Sequence, residues 1–239
     1  MIITIDGPAG SGKTTTAQLL KDELNEKYQD KNFIVLDTGA IFRSFTIYLK
    51  DNFKYIDLLP DEILNHEEER KELINVLDNI DFKIDIDKYF LFGKDITKDI
   101  RDMKNMKYLS NVSASKDVRL KILEIERKYV ADKNIVVEGR DTGSVVFPNA
   151  EFKFYLDADK KERAYRRFLQ NTNLNIPFKK ALLDKKYIEI LESIEKRDKI
   201  DSNRKEAPLQ IPKEAVIIEN TELSKEETVL KILEYIDIK

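Results

Sequence analysis

Near its start the chain reads Ile2-Ile3-Thr4-Ile5-Asp6-Gly7-Pro8-Ala9-Gly10-Ser11-Gly12-Lys13-Thr14, the stretch that decides the fold. An apolar, β-branched strand runs directly into a loop of the pattern G-x-x-x-x-G-K-[ST], which is the phosphate-binding loop of nucleotide triphosphatases. The three glycines allow successive backbone N–H groups to curl around one centre, where the oxygens of an oligophosphate can sit. A helix that begins at Lys13 adds the positive end of its dipole.

Two side chains of this phosphate loop have predicted roles. Lys13 would reach the β- and γ-phosphates, and the Thr14 hydroxyl would ligate Mg²⁺. The alternative is a turn that binds nothing. We favour phosphate binding because the loop is followed by a helical pattern with one apolar face, formed by Ala17, Leu20, Leu24 and Tyr28.

Composition excludes several classes of protein. The 239 residues carry a net charge of −3, so no basic excess indicates a nucleic-acid partner, and no apolar run approaches the roughly 18 residues of a membrane span. No signal peptide is visible, and the absence of cysteine excludes disulfides and thiol catalysis. We expect a cytoplasmic monomer that binds small molecules, built either as one α/β domain with an insertion or as two modest domains.

Short apolar strands alternate with helical patterns along the chain. Besides the first strand, they are Phe33–Leu36, Ile135–Val137, Phe152–Leu156 and Ala215–Ile218, and helices are expected near 45–49, 63–77 and 116–130 and after Ser224, which forms a capping-box spacing with Glu227. This order predicts an α/β fold with a doubly wound, five-stranded parallel sheet and helices on both faces. Period-two alternation near 82–92 indicates an inserted subdomain at 61–101.

Arginine is placed selectively, although lysine is the commoner base. Five arginines are expected in or beside loops next to Asp, Asn or Gly, where a guanidinium can bind phosphate bidentately: Arg43, Arg101, Arg140, Arg197 and Arg204. Each one taken alone could be a surface ion pair. Three more follow the fourth strand on one helix face, namely Arg163, Arg166 and Arg167. They indicate either a solvated face or a lid, at about 157–184, that closes over a triphosphate.

The remaining polar positions narrow the chemistry. Glu138 ends a buried strand, where it could hold Mg²⁺ through water or act as a turn cap. His66 is the only histidine and lies in an acidic helical run, so we expect it to be solvated and not catalytic.

Transfer of a phosphoryl group to an anionic phosphate needs cationic clamps more than a base, which favours a nucleotide-to-phosphate kinase. The guanine-reading N/T-K-x-D motif of GTPases is absent.

Taken together, these residues resemble the bacterial cytidylate kinase family over nearly the whole chain. The two most specific stretches are Glu138-Gly139-Arg140-Asp141-Thr142-Gly143-Ser144-Val145-Val146-Phe147-Pro148 and Lys196-Arg197-Asp198 with Asp201-Ser202-Asn203-Arg204. Matching segments also occur at 5–14, 37–43, 99–101 and 207–209. One departure is Glu138, where the family commonly has Asp; the charge is kept and the reach is longer.

The resemblance implies transfer of the γ-phosphoryl group of ATP to CMP or dCMP, with Mg²⁺, by a fold with a monophosphate-binding insert and a lid. The ATP site implied is Gly7, Pro8, Ala9, Gly10, Ser11, Gly12, Lys13, Thr14 and Thr15, with Thr14 and Glu138 (through water) at the metal. The CMP site implied is Thr38, Arg43, Arg101, Arg140, Asp141, Arg197, Asp201 and Arg204. The implied catalytic cations are Lys13, Arg140, Arg163, Arg167 and Arg197.

A carboxylate could recognise cytosine, because the exocyclic amine of cytosine donates a hydrogen bond at the position where uracil presents a carbonyl. Asp141 is the candidate, and a buried polar mismatch of this kind can discriminate by ~10⁴-fold or more. Two other functions stay open on the sequence: a kinase for another small acceptor such as UMP or AMP, and a nucleotide-binding module without turnover.

Overall fold

The computed structural model describes residues 1–60, 62–172, 174 and 176–236. Asp61, where the predicted insert begins, and Asn173 and Asn175 of the predicted lid lie outside the described residues. The chain divides into two compact units. We call Met1–Phe33 with Asn134–Lys239 the terminal unit, and Ile34–Lys133 the middle unit.

Strands and helices alternate as the sequence predicts. The strands are β1 (Ile2–Asp6), β2 (Phe33–Asp37), β3 (Phe82–Asp85), β4 (Lys88–Leu91), β5 (Lys94–Asp95), β6 (Asn134–Glu138), β7 (Phe152–Asp157) and β8 (Val216–Glu219). The helices are α1 (Lys13–Lys27), α2 (Thr38–Asn52), α3 (Glu67–Asp78), α4 (Leu109–Ala114), α5 (Lys116–Val130), α6 (Lys160–Thr172), α7 (Phe178–Ala181), α8 (Lys185–Asn203) and α9 (Lys225–Leu233).

The main sheet confirms the predicted fold class. In the described part of the chain it has five strands in the order β2-β6-β1-β7-β8. Strand β1 pairs in parallel with β6 and β7, which places Ile5 opposite Glu138 and Asp6 opposite Tyr155. Because the carboxyl ends of parallel strands lie at one edge, Asp6 and Glu138 end together next to the phosphate loop.

The helices of the terminal unit bury the faces that the sequence pattern indicates. Helix α1 buries Ala17, Leu20 and Leu24. Helix α9 begins with the predicted capping box, in which the Ser224 hydroxyl accepts from the Glu227 N–H and the Glu227 carboxylate accepts from the Ser224 N–H. These local signals determine helix positions because they act within a few residues of the chain.

The middle unit corrects two local predictions. The sequence predicts Arg43 in or beside a loop, yet Thr38 already begins α2, because the Asp37 carboxylate caps the helix by accepting from the Ala40 N–H at 2.9 Å. The helix expected at 63–77 is broken at His66, where a 3-10 turn (Glu62–Asn65) is followed by α3.

The stretch with period-two alternation near 82–92 forms the antiparallel sheet β3-β4-β5. No helix among the described residues is long and apolar enough to cross a membrane.

Candidate active site

The phosphate loop needs glycine for two different reasons. At Gly7, a Cβ atom would lie 2.2 Å from the Leu156 carbonyl oxygen of β7, so no side chain fits. Gly12 has φ 92° and ψ 7° at the N-cap of α1, a left-handed conformation that side chains disfavour. Together they let the loop turn sharply between β1 and α1.

Side-chain donors from several elements hold the carbonyl groups of this loop. Arg140 donates to Gly7 (2.6 Å), Lys13 Nζ to Pro8 (2.8 Å), Arg163 to Ala9 (2.8 Å) and Asn220 to Ser11 (3.0 Å). A carbonyl oxygen repels an anion, so engaging these four oxygens keeps them from turning toward a phosphate. The loop is therefore held in a form that favours anion binding.

Lys13 is almost wholly buried in this environment. Burial, the largest cause, and the nearby charge of Arg140 together lower its pKa from 10.5 to about 7, against the opposing effects of Glu138, Asp6 and Asp201. A negatively charged ligand bound next to Lys13 would therefore raise this pKa and favour the protonated amine.

Thr14 and Glu138 lie next to each other, as the magnesium prediction requires. The Thr14 hydroxyl donates to the Glu138 carboxylate at 2.6 Å, and Glu138 is 5% exposed. These oxygen donors fit Mg²⁺, which takes one or two protein oxygens and completes its shell with water and substrate phosphate. Among the described residues, no three acidic, histidine or cysteine side chains converge, so an all-protein metal cage is not present there.

Asp6 joins the first strand to the loop that follows β6. Its buried carboxylate accepts three hydrogen bonds of 2.7–2.8 Å, from the Thr142 N–H, the Thr142 hydroxyl and the Gly143 N–H. Burial raises the pKa of Asp6, and these three donors oppose the rise. These contacts attach Thr142 and Gly143 to the end of β1, and they thereby position the two preceding residues, Arg140 and Asp141.

Three predicted CMP ligands of the terminal unit meet at Asp201. The side chains of Arg140 and Arg197 donate to its carboxylate at 2.9 and 3.1 Å, and Arg204 lies 4.0 Å away. Asp201 is 1% exposed. Burial alone would raise the pKa of Asp201, but the three arginines outweigh burial and hold it below 3.8. One buried carboxylate thus holds three guanidinium groups in place.

Arg204 also connects this cluster to the candidate cytosine reader. It donates to the Asp141 carboxylate at 3.0 Å, and Asp141 is 5% exposed. Arg197 was expected beside a loop but lies inside α8, where i,i+4 spacing brings it to Asp201. The helix therefore provides both partners of this ion pair.

The three arginines of α6 differ in their surroundings. Arg163 is buried and binds the Asp198 carboxylate at 2.6 Å in addition to the Ala9 carbonyl. Arg166 donates to the Asn220 and Thr221 carbonyls at 2.7 and 3.1 Å. Arg167 is exposed. Of the predicted single arginine face, Arg163 thus contacts the phosphate loop and Arg166 the segment after β8.

The middle unit holds the other predicted CMP ligands. Arg43 lies in α2, not beside a loop, and donates to the Asp37 carboxylate at 2.6 Å. Its Nε is buried and has no hydrogen-bond partner among the described residues. Thr38 is buried at the start of α2, and Arg101 is exposed in the 3-10 turn Asp99–Arg101.

Comparison with known proteins decides the family. The family model described as cytidylate kinase matches residues 3–238. This chain belongs to the cytidylate kinase family. A protein named cytidylate kinase from Caldanaerobacter subterraneus subsp. tengcongensis is 38% identical over 98% of this chain and 93% of its own length. Another from Protochlamydia amoebophila is 39% identical over 99% and 96%.

A solved structure supports the fold alone. The crystal structure of an uncharacterized protein from Eubacterium ventriosum covers 100% of this chain and 99% of its own, with a TM-score of 0.50 and 14% identity. The family and the phosphotransferase class predicted from the motifs are confirmed, and the comparisons do not favour a kinase for another acceptor or a non-catalytic module.

Sequence reasoning missed three residues that build this cytidylate kinase family site. Asp6 and Asp198 lie within the quoted motifs but were given no role, and Asn220 was not singled out. Asn220 directly follows β8, and its amide reaches Ser11, 209 positions earlier in the chain. Polar residues at the carboxyl ends of parallel strands were the available signal for Asp6 and Asn220.

Proposed function

We propose that this protein transfers the γ-phosphoryl group of ATP to CMP or dCMP, giving ADP and CDP or dCDP. The observation that carries the proposal lies in the terminal unit. The phosphate loop, with Lys13 and the Thr14–Glu138 pair, shares that unit with an arginine cluster ordered around Asp201. A donor-phosphate site and an acceptor-phosphate clamp are the two parts that this reaction requires.

On the donor side, we assign ATP to residues 7–15 and Mg²⁺ to Thr14 and, through water, Glu138. Thr14 and Glu138 would hold Mg²⁺, which would supply positive charge against the negative charge that develops during transfer. Lys13, when protonated, stabilises the same charge. Arg163 contributes through the loop, because its guanidinium holds the Ala9 carbonyl, and we assign Arg167 to the triphosphate from the exposed side of α6.

On the acceptor side, we assign the CMP phosphate and sugar to Arg140, Arg197, Asp201 and Arg204, and the base to Asp141. The same proposal assigns Thr38, Arg43 and Arg101 to CMP, and the buried Nε of Arg43, which has no hydrogen-bond partner in the described part of the chain, supports an anion there. Asp201 orients its arginines before substrate arrives, which lowers the entropy cost of aligning the acceptor. No general base is assigned, since the acceptor oxygen is already anionic near neutral pH.

The same proposal includes four further assignments. Residues 61–101 form a monophosphate-binding insert and residues 157–184 form a lid. The protein is a monomer and is located in the cytoplasm. The antiparallel sheet β3-β4-β5 supports a distinct structural role for the insert. Size-exclusion chromatography with light scattering tests the monomer directly.

The decisive test is ADP formation from MgATP with CMP, dCMP, UMP, AMP and GMP offered separately. Activity confined to the two cytidine nucleotides supports the proposal, and a preference for UMP or AMP overturns the acceptor. Nucleotide binding without turnover of any acceptor overturns the reaction.

The magnesium assignment is tested with Thr14→Val and the conservative control Thr14→Ser. We expect Thr14→Val to raise the Mg²⁺ concentration for half-maximal activity by about tenfold or more, as losses near a metal typically do. Thr14→Ser keeps the hydroxyl and should stay close to wild type. An unchanged Mg²⁺ dependence in Thr14→Val would remove Thr14 from the metal.

A further inference from the structure

Both backbone groups of Ala9, in the middle of the phosphate loop, are held by one ion pair. The Ala9 N–H donates to Asp198 Oδ1 at 3.0 Å, and the Ala9 carbonyl accepts from Arg163 Nη1 at 2.8 Å. Arg163 Nη1 also lies 2.6 Å from Asp198 Oδ2. We call Arg163 and Asp198 the Ala9 clamp.

The clamp is built on two helices that come from distant parts of the chain. Arg163 lies in α6 and is anchored by a further hydrogen bond from its Nε to the Ala158 carbonyl at 3.0 Å. Asp198 lies in α8, the helix that also carries Arg197 and Asp201. The side chain exposures of 8% for Arg163 and 21% for Asp198 make this a largely desolvated pair, in which losing one partner is costly.

Packing supports the same contact independently of the charges. Helices α6, α7 and α8 form an apolar cluster of Ala164, Phe168, Ala181, Tyr187 and Ile194, and the Ala9 side chain packs against it. Ala9 thus contacts these helices through its side chain, which packs on the apolar cluster, and through both backbone groups, which bond to α6 and α8.

We propose that Arg163 and Asp198 are positioning residues that set the conformation of the phosphate loop at Ala9, and this rests on the proposed function. Because the Ala9 N–H donates to Asp198, it is not available to a phosphate oxygen. Fixing the Ala9 peptides orients the ones that follow. Arg163 also neutralises the Asp198 carboxylate, which would otherwise repel the anionic ligand.

A matched control exists because a second ion pair joins the same two helices. Lys160 Nζ lies 2.6 Å from Glu195 Oε1, and both side chains are about half exposed. Glu195→Gln therefore removes a bridge between α6 and α8 without removing a contact to Ala9. Asp198→Ala removes both the acceptor and the charge, whereas Asp198→Asn can keep the acceptor for the Ala9 N–H.

The test is calorimetric titration of each full-length variant with MgADP in the absence of acceptor, alongside CMP titration and thermal unfolding. We expect MgADP affinity to fall about tenfold or more in Asp198→Ala, to fall less in Asp198→Asn, and to stay within about twofold in Glu195→Gln. The CMP affinity of Asp198→Asn should stay within about twofold of wild type.

Two results would overturn the proposal. One is wild-type MgADP affinity in Asp198→Ala; the other is an equal loss in Glu195→Gln, which would show that joining the helices, and not Ala9, matters. If Asp198→Ala is unfolded at the titration temperature, the comparison of Asp198→Asn with Glu195→Gln decides in the same way. Because MgADP binding needs no acceptor, failure of the acceptor panel would overturn the proposed reaction and leave this test intact.

Discussion

Replacing Lys13 by Met should abolish a proton uptake that accompanies nucleotide binding to the wild-type protein. In the nucleotide-free protein, burial lowers the pKa of Lys13 to about 7, so a large fraction of the molecules carry a neutral amine at physiological pH. Phosphate oxygens bound at this position favour the charged form and raise the pKa again. Binding must then draw a proton from solution.

The size of the effect follows from the pKa. At a pKa of about 7, roughly a tenth of the Lys13 side chains are neutral at pH 6, about half at pH 7 and about nine tenths at pH 8, so these are the protons taken up per bound nucleotide. The fall in pKa from 10.5 to about 7 means that the empty site destabilises the charged amine by about 5 kcal/mol. That cost is fully present below pH 7 and disappears as pH rises toward 10.5.

The assay is calorimetric titration with MgADP at pH 6, 7 and 8 in buffers of different ionisation enthalpy. The slope of the observed enthalpy against the buffer enthalpy gives the protons exchanged. Lys13→Met retains any proton exchange of the ligand and loses that of the lysine, and Lys13→Arg keeps a charge that does not titrate in this range. Equal slopes in wild type and both variants at pH 8 would refute the reasoning.

Three further outcomes are expected. Asp141→Asn should change the ratio of kcat/KM for CMP to that for UMP, and an unchanged ratio would exclude Asp141 from base recognition. Asp201, whose pKa is held below 3.8, stabilises the fold above that pH. In urea unfolding, the stability difference between wild type and Asp201→Asn should therefore shrink between pH 5 and pH 3; a constant difference contradicts this. Gly7→Ala should lower the free energy of unfolding by about 1–3 kcal/mol or more, because its Cβ would meet the Leu156 carbonyl oxygen at 2.2 Å. Gly93→Ala meets nothing within 4 Å and is destabilised only by the strain of its φ of 75°, so it should lower the free energy of unfolding by about 1 kcal/mol.

The sequence determined the elements whose signals are local. Helix α5 begins and ends at the predicted residues, Lys116 and Val130, because apolar residues recur there at helical spacing. The phosphate loop and the capping box of α9 are likewise fixed within a few residues. The start of α2 at Thr38 was not predicted, although its signal is also local: the Asp37 carboxylate caps the helix by accepting from the Ala40 N–H.

Only the tertiary structure decided which polar groups meet. The partners of Asp6, Ala9 and Ser11 lie 136, 189 and 209 positions away, and no spacing in the sequence connects them. Parallel pairing of β1 with β6 and β7, and of β7 with β8, brings Thr142 and Asn220 to the edge at which β1 ends, and helix α8 supplies Asp198. Burial lowers the pKa of Lys13, and at Asp201 it opposes the lowering of the pKa by the three arginines. The free-energy cost of removing a charge from water depends on all the groups packed around that charge and not on its neighbours in the chain.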